Sequence, residues 1–329
     1  MLNHGGRIQA NSKQYGIPVN DWLDLSTGIN PHGWPVPEFI PTTLWQRLPE
    51  AEDDLIEKAK AYYQCEHILP MAGSQAAIQL LPRMRPACRV AILSPAYQEY
   101  RYCWQQAGHA VSELESFELD QLIDHFDVVI VVHPNNPTGE TFSSDCLLNW
   151  YQRLQKRGGW LIVDEAFIDI APAHSLASLP VMNGLIILRS LGKFFGLAGL
   201  RVGFVITHPV VLNQLTEKSG PWPIASVSRW IASQALADTD WQKQSRQYLP
   251  QYAQRLFDLL TEYDLKPTGG CGLFQWIKTD KASHIHQQLA QQGILCRLFD
   301  APAALRFGLP ASEHEWLRLE TALQKVVPS

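Results

Sequence analysis

The chain has 329 residues, of which 46% are hydrophobic and 18% charged. That balance describes a packed globular protein with room for two domains and excludes a disordered chain. A formal net charge of −5 offers no basis for binding nucleic acid or an anionic membrane surface, although local arginines can still take a small anion.

The amino terminus, MLNHGGRIQANSKQYG, has no cationic stretch followed by an apolar run, so it does not read as a secretory signal. The first forty residues are rich in Gly, Pro and Asn and read as an arm or loop structure. Further on, Gly73-Ser74 opens an Ala/Ile/Leu-rich helix over 75–81, where free amides and the helix dipole would favour a phosphate. From Ala87 to Thr207, short apolar runs alternate with helix-like segments. The runs are RVAILSP (89–95), DVVIVVHP (127–134), GWLIVDEA (159–166), GLIILRS (184–190) and VGFVITH (202–208). Apolar on successive residues, they suit strands covered on both faces and are far too short to cross a bilayer. Between them SSDCLLNWYQRLQKRG (143–158) has helical spacing and ends in glycine. The alternation predicts an α/β layer around a largely parallel sheet flanked by helices.

The last third predicts helices over 226–263, a strand in GGCGLFQWI (269–277) and a helix over 282–292. Strands in ILCRLF (294–299) and ALRFGL (304–309) and a closing helix over 312–326 complete an α+β pattern. The expected division is an arm (1–35), a large α/β domain (36–221) and a smaller carboxy-terminal α+β domain (222–329). Six scattered cysteines with no CxxC pair read as buried free thiols rather than as disulfides or a metal site. A cytoplasmic enzyme fits these features, and so does an inert binding protein.

In open α/β sheets, ligands bind beyond the carboxyl ends of the strands, and the polar residues of this chain fall there. The 127–134 run leads into HPNNPTG, the 159–163 run into Asp164-Glu165, and the 184–189 run to Ser190, three residues before Lys193. Each has a plainer reading. NNPTG can be only a turn, Asp164 a helix cap, GSQAAIQLL an ordinary capped helix, Arg201 a surface ion pair and Lys193 a loop lysine. Those readings leave the coincidence of an anion cradle, an acid, an amide and a lysine unexplained. One cofactor uses that set: pyridoxal phosphate needs a lysine for covalent attachment, a carboxylate at its pyridine nitrogen, a donor to its phenolic oxygen and a phosphate cradle. The dinucleotide fingerprint GxGxxG and the P-loop GxxxxGK[ST] are both absent from the sequence.

Ser190-x-Gly192-Lys193 followed by Gly196-Leu197-Ala198-Gly199-x-Arg201-x-Gly203, with NNPTG and DEAF before it in order, resembles the aspartate-aminotransferase-like (fold type I) pyridoxal-phosphate family. The resemblance runs over almost the whole chain and implies that fold, a large sheet domain with a smaller one, and a homodimer. It implies that Lys193 carries the cofactor, Asp164 meets the pyridine nitrogen, Asn136 the phenolic oxygen, and that Tyr97 stacks on the ring. Gly73, Ser74, Gln75, Ser190 and Arg201 would hold the cofactor phosphate, and Arg306 in LRFG a substrate carboxylate. Two positions depart from the pattern: Phe167 stands where many members have a tyrosine, and Leu48 where a tyrosine usually reaches the neighbouring subunit.

The segments NHGGRI (3–8) and LDLSTGINPHGWP (23–35), taken with the lysine box, are similar to the threonine-phosphate decarboxylase branch. Read from residues alone, His4-Gly5-Gly6 is a flexible terminus. The resemblance makes His4, Gly5 and Gly6 candidates for a substrate phosphate, places Asn30 near its carboxylate and counts Asn136 among the substrate-binding residues as well. It implies decarboxylation of L-threonine O-3-phosphate for the nucleotide loop of cobalamin. A histidinol-phosphate type aminotransferase and a non-catalytic relative of the fold are the other two readings.

Overall fold

The computed structural model describes residues 4–180 and 182–326, so residues 1–3 of the expected arm lie outside the described residues. Two compact units emerge. One comprises Trp34–Asn136 and Thr141–Lys243; the other comprises the residues up to Gly33, Pro137–Glu140 and those from Gln244 onward.

The larger unit is built on seven strands: β1 (Ile68–Met71), β2 (Arg89–Leu93), β3 (Ala110–Leu114), β4 (Val128–Val132), β5 (Trp160–Asp164), β6 (Leu185–Ser190) and β7 (Gly203–Ile206). Their order is β1-β7-β6-β5-β4-β2-β3. The strands β3, β2, β4, β5 and β6 pair in parallel, while β7 runs antiparallel to both β6 and β1. The five apolar runs of the sequence are β2, β4, β5, β6 and β7. The two strands it did not announce, β1 and β3, are the sheet edges. ILPM carries a proline and AVSEL two polar residues, compositions an edge tolerates because one side is unpaired.

Strands β4 and β6 are buried at every position. On one face of the sheet Val90, Ile92, Val128, Ile130, Ile162, Ile186 and Leu188 form a continuous core with Tyr100 and Trp104 of helix Glu99–Gln106. Ala77 and Ile78 of helix Ser74–Leu80 belong to the same core. Helix Ser144–Gln155 starts where expected, the Ser143 hydroxyl accepting from the Cys146 amide at 3.2 Å. The helical reading over 226–263 resolves into two helices, Ser226–Ala237 and Thr239–Glu262.

The smaller unit carries an antiparallel sheet of β8 (Gly269–Cys271), β9 (Phe274–Lys278), β10 (Arg297–Asp300) and β11 (Ala303–Gly308), in the order β10-β11-β9-β8. The single strand expected in GGCGLFQWI is therefore a hairpin, with Phe274 paired to Cys271. ILCRLF is also divided: Arg297 onward joins this sheet, whereas Ile294–Leu295 pairs in parallel with Leu23–Asp24. The arm is thus tied down by backbone bonds, Leu23 N donating to Gly293 O and Leu25 N to Leu295 O, each at 2.8 Å. It also holds a helix, Ile8–Tyr15, ended by Gly16 at φ 70°. No residue of that helix is buried, so it has no apolar stripe for a sequence reading to find.

All six cysteines are free, but only Cys296 is buried; the other five are half-buried. Among the described residues, no helix is long and apolar enough to cross a membrane.

Candidate active site

The sheet presents its candidate residues at the carboxyl ends of adjacent strands. Asp164 is the last residue of β5 and Ser190 the last of β6. Gly203 opens β7 as the register partner of Ser190 on one side and of Met71 on the other. Gly73 and Ser74 follow directly after Met71. A Cβ on Gly203 would lie 2.5 Å from the Ser74 nitrogen, and one on Gly73 would lie 2.7 Å from Nη2 of Arg201. Gly73 moreover has φ 73° and ψ 162°, a conformation essentially confined to glycine. The Ser74 amide, the Ser190 hydroxyl and the Arg201 guanidinium are therefore gathered in a corner that two glycines keep open. This is a donor set suited to a phosphate.

Asp164 is buried, and both of its oxygens are bonded: Oδ1 accepts from the Ala166 amide at 3.0 Å and Oδ2 from the Tyr100 hydroxyl at 2.8 Å. Burial raises its pKa, while the Tyr100 bond, the Ala166 amide and the charges of Lys193 and Arg189 pull it back down. Lys193 is half-buried, three residues past β6, with its amine 5.4 Å from the centre of the Phe167 ring. The tyrosine-to-phenylalanine departure thus places an apolar face, not a hydroxyl, beside the lysine.

Tyr97 is half-buried and donates to Oε1 of Gln75 at 3.1 Å; burial, and after it Glu99 and Asp164, push its pKa up to about 12. The Gln75 side chain also donates to Glu99 at 2.9 Å. Its amide group is committed to these neighbours, which leaves its main-chain N–H as what it can offer an anion. Asn136 is half-buried in the loop four residues past Val132.

The remaining candidates belong to the smaller unit, and three of them, Gly5, Gly6 and Arg306, meet at Ser26. Its carbonyl accepts from Nη2 of Arg306 at 2.9 Å, and its hydroxyl accepts from the Gly6 amide at 2.7 Å. Ser26 is itself held by Asp24 Oδ1, which accepts from the Ser26 amide and hydroxyl. A Cβ on Gly5 would overlap the Ser26 carbonyl oxygen, so only glycine fits there. Asn30 is buried and its side-chain oxygen accepts from the Tyr248 hydroxyl at 2.8 Å and the His32 amide at 2.9 Å. His4 is half-buried. Arg306 is buried, and its pKa is lowered to about 10 by burial and next by the charge of Arg297, its register partner across the β10–β11 ladder.

Four residues in these clusters escaped the sequence reading: Tyr100, Ser26, Tyr248 and Arg297. Tyr100 and Arg297 carried a usable signal, since Tyr100 lies three residues after Tyr97 and Arg297 interrupts an apolar strand. An amine, a buried acid, an aromatic ring and a phosphate corner fit pyridoxal phosphate: Lys193 would bind it, Asp164 would meet its pyridine nitrogen, and Ser74, Ser190 and Arg201 its phosphate.

Residues 42–325 match the family model of aminotransferase class I and II. The chain belongs to that family. The resemblance read from the lysine box is borne out, and the aminotransferase class I and II family is pyridoxal-phosphate-dependent. Within it, a threonine-phosphate decarboxylase of Pseudomonas aeruginosa is 50% identical over 323 residues, 98% of this chain and 97% of that protein. A threonine-phosphate decarboxylase of a Sinorhizobium species is 41% identical, over 98% of each chain. The solved histidinol-phosphate aminotransferase of Sinorhizobium meliloti, in complex with pyridoxal-5'-phosphate, superposes with a TM-score of 0.83 over 99% of this chain and 95% of that one. At 20% identity that likeness shows the fold alone.

Proposed function

We propose that this aminotransferase class I and II protein is a pyridoxal-phosphate-dependent lyase that decarboxylates L-threonine O-3-phosphate to (R)-1-aminopropan-2-yl phosphate, the amine used in the nucleotide loop of cobalamin. The observation that carries the reading is the 50% identity with the Pseudomonas threonine-phosphate decarboxylase across nearly the full length of both proteins. Pyridoxal phosphate, when bound, would supply an electron sink for the bond broken at the substrate's α-carbon. The residues then have separable tasks. Lys193 holds the cofactor and delivers a proton to the α-carbon once carbon dioxide has left. Asp164 keeps a proton at the pyridine nitrogen, Asn136 donates to the phenolic oxygen, and Tyr97 covers the ring. Gly73, Ser74, Gln75 (through its main chain), Ser190 and Arg201 take the cofactor phosphate.

For the substrate, Arg306 takes the carboxylate, with Asn30 close to that group, and His4, Gly5 and Gly6 take the phosphate. Two arginines paired on one ladder, Arg306 and Arg297, support an anionic substrate, since a bound anion relieves their repulsion. Holding both ends of the substrate fixes rotation about its α-carbon, and so which bond is broken.

A homodimer is part of the same reading. Phe39, Trp45, Leu48 and Trp222, large apolar residues between 56% and 76% exposed, are candidates for covering by a second copy. Free thiols throughout support a reducing, cytoplasmic setting. Incubating the purified protein with L-threonine O-3-phosphate tests the function: carbon dioxide and aminopropanol phosphate are expected without any 2-oxo acid. A 2-oxo product formed only with 2-oxoglutarate would overturn it in favour of transamination. Sedimentation velocity tests the dimer, and a monomer at micromolar concentration would remove it.

A further inference from the structure

The hydrogen bond between Tyr100 and Asp164 draws attention to a residue to which the sequence reading gave no role. Tyr100 is fully buried on helix Glu99–Gln106, among the apolar side chains of the sheet core, and its hydroxyl donates to Oδ2 of Asp164 at 2.8 Å. A phenylalanine would fill that space without any polar atom to satisfy. The hydroxyl therefore has a reason to be there, and its partner is the acid read as the ring-nitrogen ligand.

A carboxylate removed from water is expensive to keep ionised. Each oxygen of Asp164 has one fixed donor, Tyr100 on Oδ2 and the Ala166 amide on Oδ1. The charged groups acting on it are Lys193 and Arg189. His133, whose amide donates to the Asp164 carbonyl, contributes no charge, since burial lowers its pKa to about 4. The Tyr100 phenol is itself raised far above its usual range by burial and by Asp164, so it remains protonated and remains a donor.

We propose that Tyr100 is a positioning residue that decides where the proton shared by Asp164 and the cofactor's pyridine nitrogen resides: by donating to Oδ2 it holds the carboxylate ionised and keeps the proton on the nitrogen. One proton has two seats, nitrogen or carboxylate. Withdrawing the phenol donor destabilises only the carboxylate form and moves the proton towards Asp164, leaving a neutral pyridine and a weaker electron sink. The proposal rests on the reading of Asp164 as the partner of that nitrogen.

The test is the ¹⁵N resonance of the cofactor ring nitrogen in holoenzyme reconstituted with labelled pyridoxal phosphate, followed against pH. Asp164→Asn controls the underlying reading and should move the resonance to that of neutral pyridine. Tyr100→Phe should lower the pH at which the nitrogen loses its proton by roughly one to two units, the strength of one hydrogen bond to a charged group. Site-specific 3-fluorotyrosine at position 100, a stronger donor of the same shape, should move it the other way, and keeps the question answerable if Tyr100→Phe folds poorly. If Asp164→Asn moves the resonance and neither change at Tyr100 does, Tyr100 has no such task and the role of Asp164 stands. If Asp164→Asn leaves the resonance in place, the reading of Asp164 fails and the proposal fails with it.

Discussion

Replacing Gly73 by alanine separates two consequences that one methyl group would have. The backbone at this position has φ 73° and ψ 162°, where any residue other than glycine is strained by about 1–3 kcal/mol, and that loss belongs to the apoprotein. The added Cβ would also stand 2.7 Å from Nη2 of Arg201. Arg201 is exposed and its guanidinium is the far end of a flexible chain, so it can move aside with little loss of stability. Once displaced, it would no longer reach the phosphate proposed to bind there. A hydrogen bond to a charged group is worth about 1.5–3 kcal/mol, so cofactor affinity should fall about 10- to 150-fold. The assay is titration of the apoprotein with pyridoxal phosphate, followed by quenching of its 11 tryptophans, with urea unfolding of the apoprotein in parallel. A double-mutant cycle supplies the decisive comparison. In an Arg201→Ala background, Gly73→Ala should still destabilise the apoprotein but should weaken the cofactor less than about threefold, because the contact it disturbs is gone. If the full loss of affinity persists without Arg201, the methyl acts on something other than the guanidinium and the phosphate corner is wrongly drawn.

Three further outcomes are expected. Gly5→Ala should displace the Ser26 carbonyl, which Arg306 also uses; KM for the phosphorylated substrate should rise at least tenfold, the loss of about one charged hydrogen bond, with cofactor affinity unchanged, and trypsin should cut faster after Arg7. An unaltered KM would dissociate the arm from substrate binding. His133 has a folded pKa of about 4 against 6.5 when unperturbed, so as pH falls the unfolded chain takes up the proton first and stability is lost from about pH 6.5 down to about 4. Urea unfolding should register about 2 kcal/mol less stability at pH 5 than at pH 7.5 from this group, and His133→Asn, whose carbonyl can still accept the Phe142 amide, should remove that part of the slope. Arg189→Met should destabilise the fold by about 3–5 kcal/mol by leaving the wholly buried Glu165 and Asp169 without their counter-charge. Adding Glu165→Gln and Asp169→Asn should recover most of it, and a triple variant no better than the single one would refute an electrostatic origin.

What the sequence made legible was local. The lysine box and NNPTG are short-range patterns whose glycines and amides stand near each other in the chain, so they could be recognised before any fold was known. The central strands were legible because burial on both faces demands unbroken apolar runs. The edge strands β1 and β3 were not, because half-paired strands admit proline and polar residues. The hairpin in GGCGLFQWI was read as one strand because its turn, around Gly272, lies inside an otherwise strand-like run. The supporting contacts were invisible for a different reason. Tyr100 and Asp164 are 64 residues apart, Tyr248 and Asn30 are 218 apart, and Arg306 and Ser26 are 280 apart. No spacing rule reaches across such distances; only the folded chain pairs them.

The strand period explains why the acid and the phosphate corner are so firmly set. Along β5 the side chains of Ile162 and Asp164 share one face, and along β6 those of Ile186, Leu188 and Ser190 do the same. The intervening residues point the other way, and at the ends of those strands they are Glu165 and Arg189. Arg189 joins Glu165 at 2.8 Å and also pairs with Asp169, while Ser175 and the Leu176 amide bond the same glutamate. Asp164 and Ser190 therefore each have as chain neighbour a member of a buried ionic cluster on the opposite face. The cluster is a poor way to gain stability, since a buried ion pair only repays its own desolvation when fully bonded. It does, however, fix the backbone at two strand ends where a purely apolar contact would allow sliding. The triple variant without charges should for that reason regain stability and yet bind pyridoxal phosphate more weakly than the wild type. Equal cofactor affinity in the two would show that apolar packing alone positions Asp164 and Ser190.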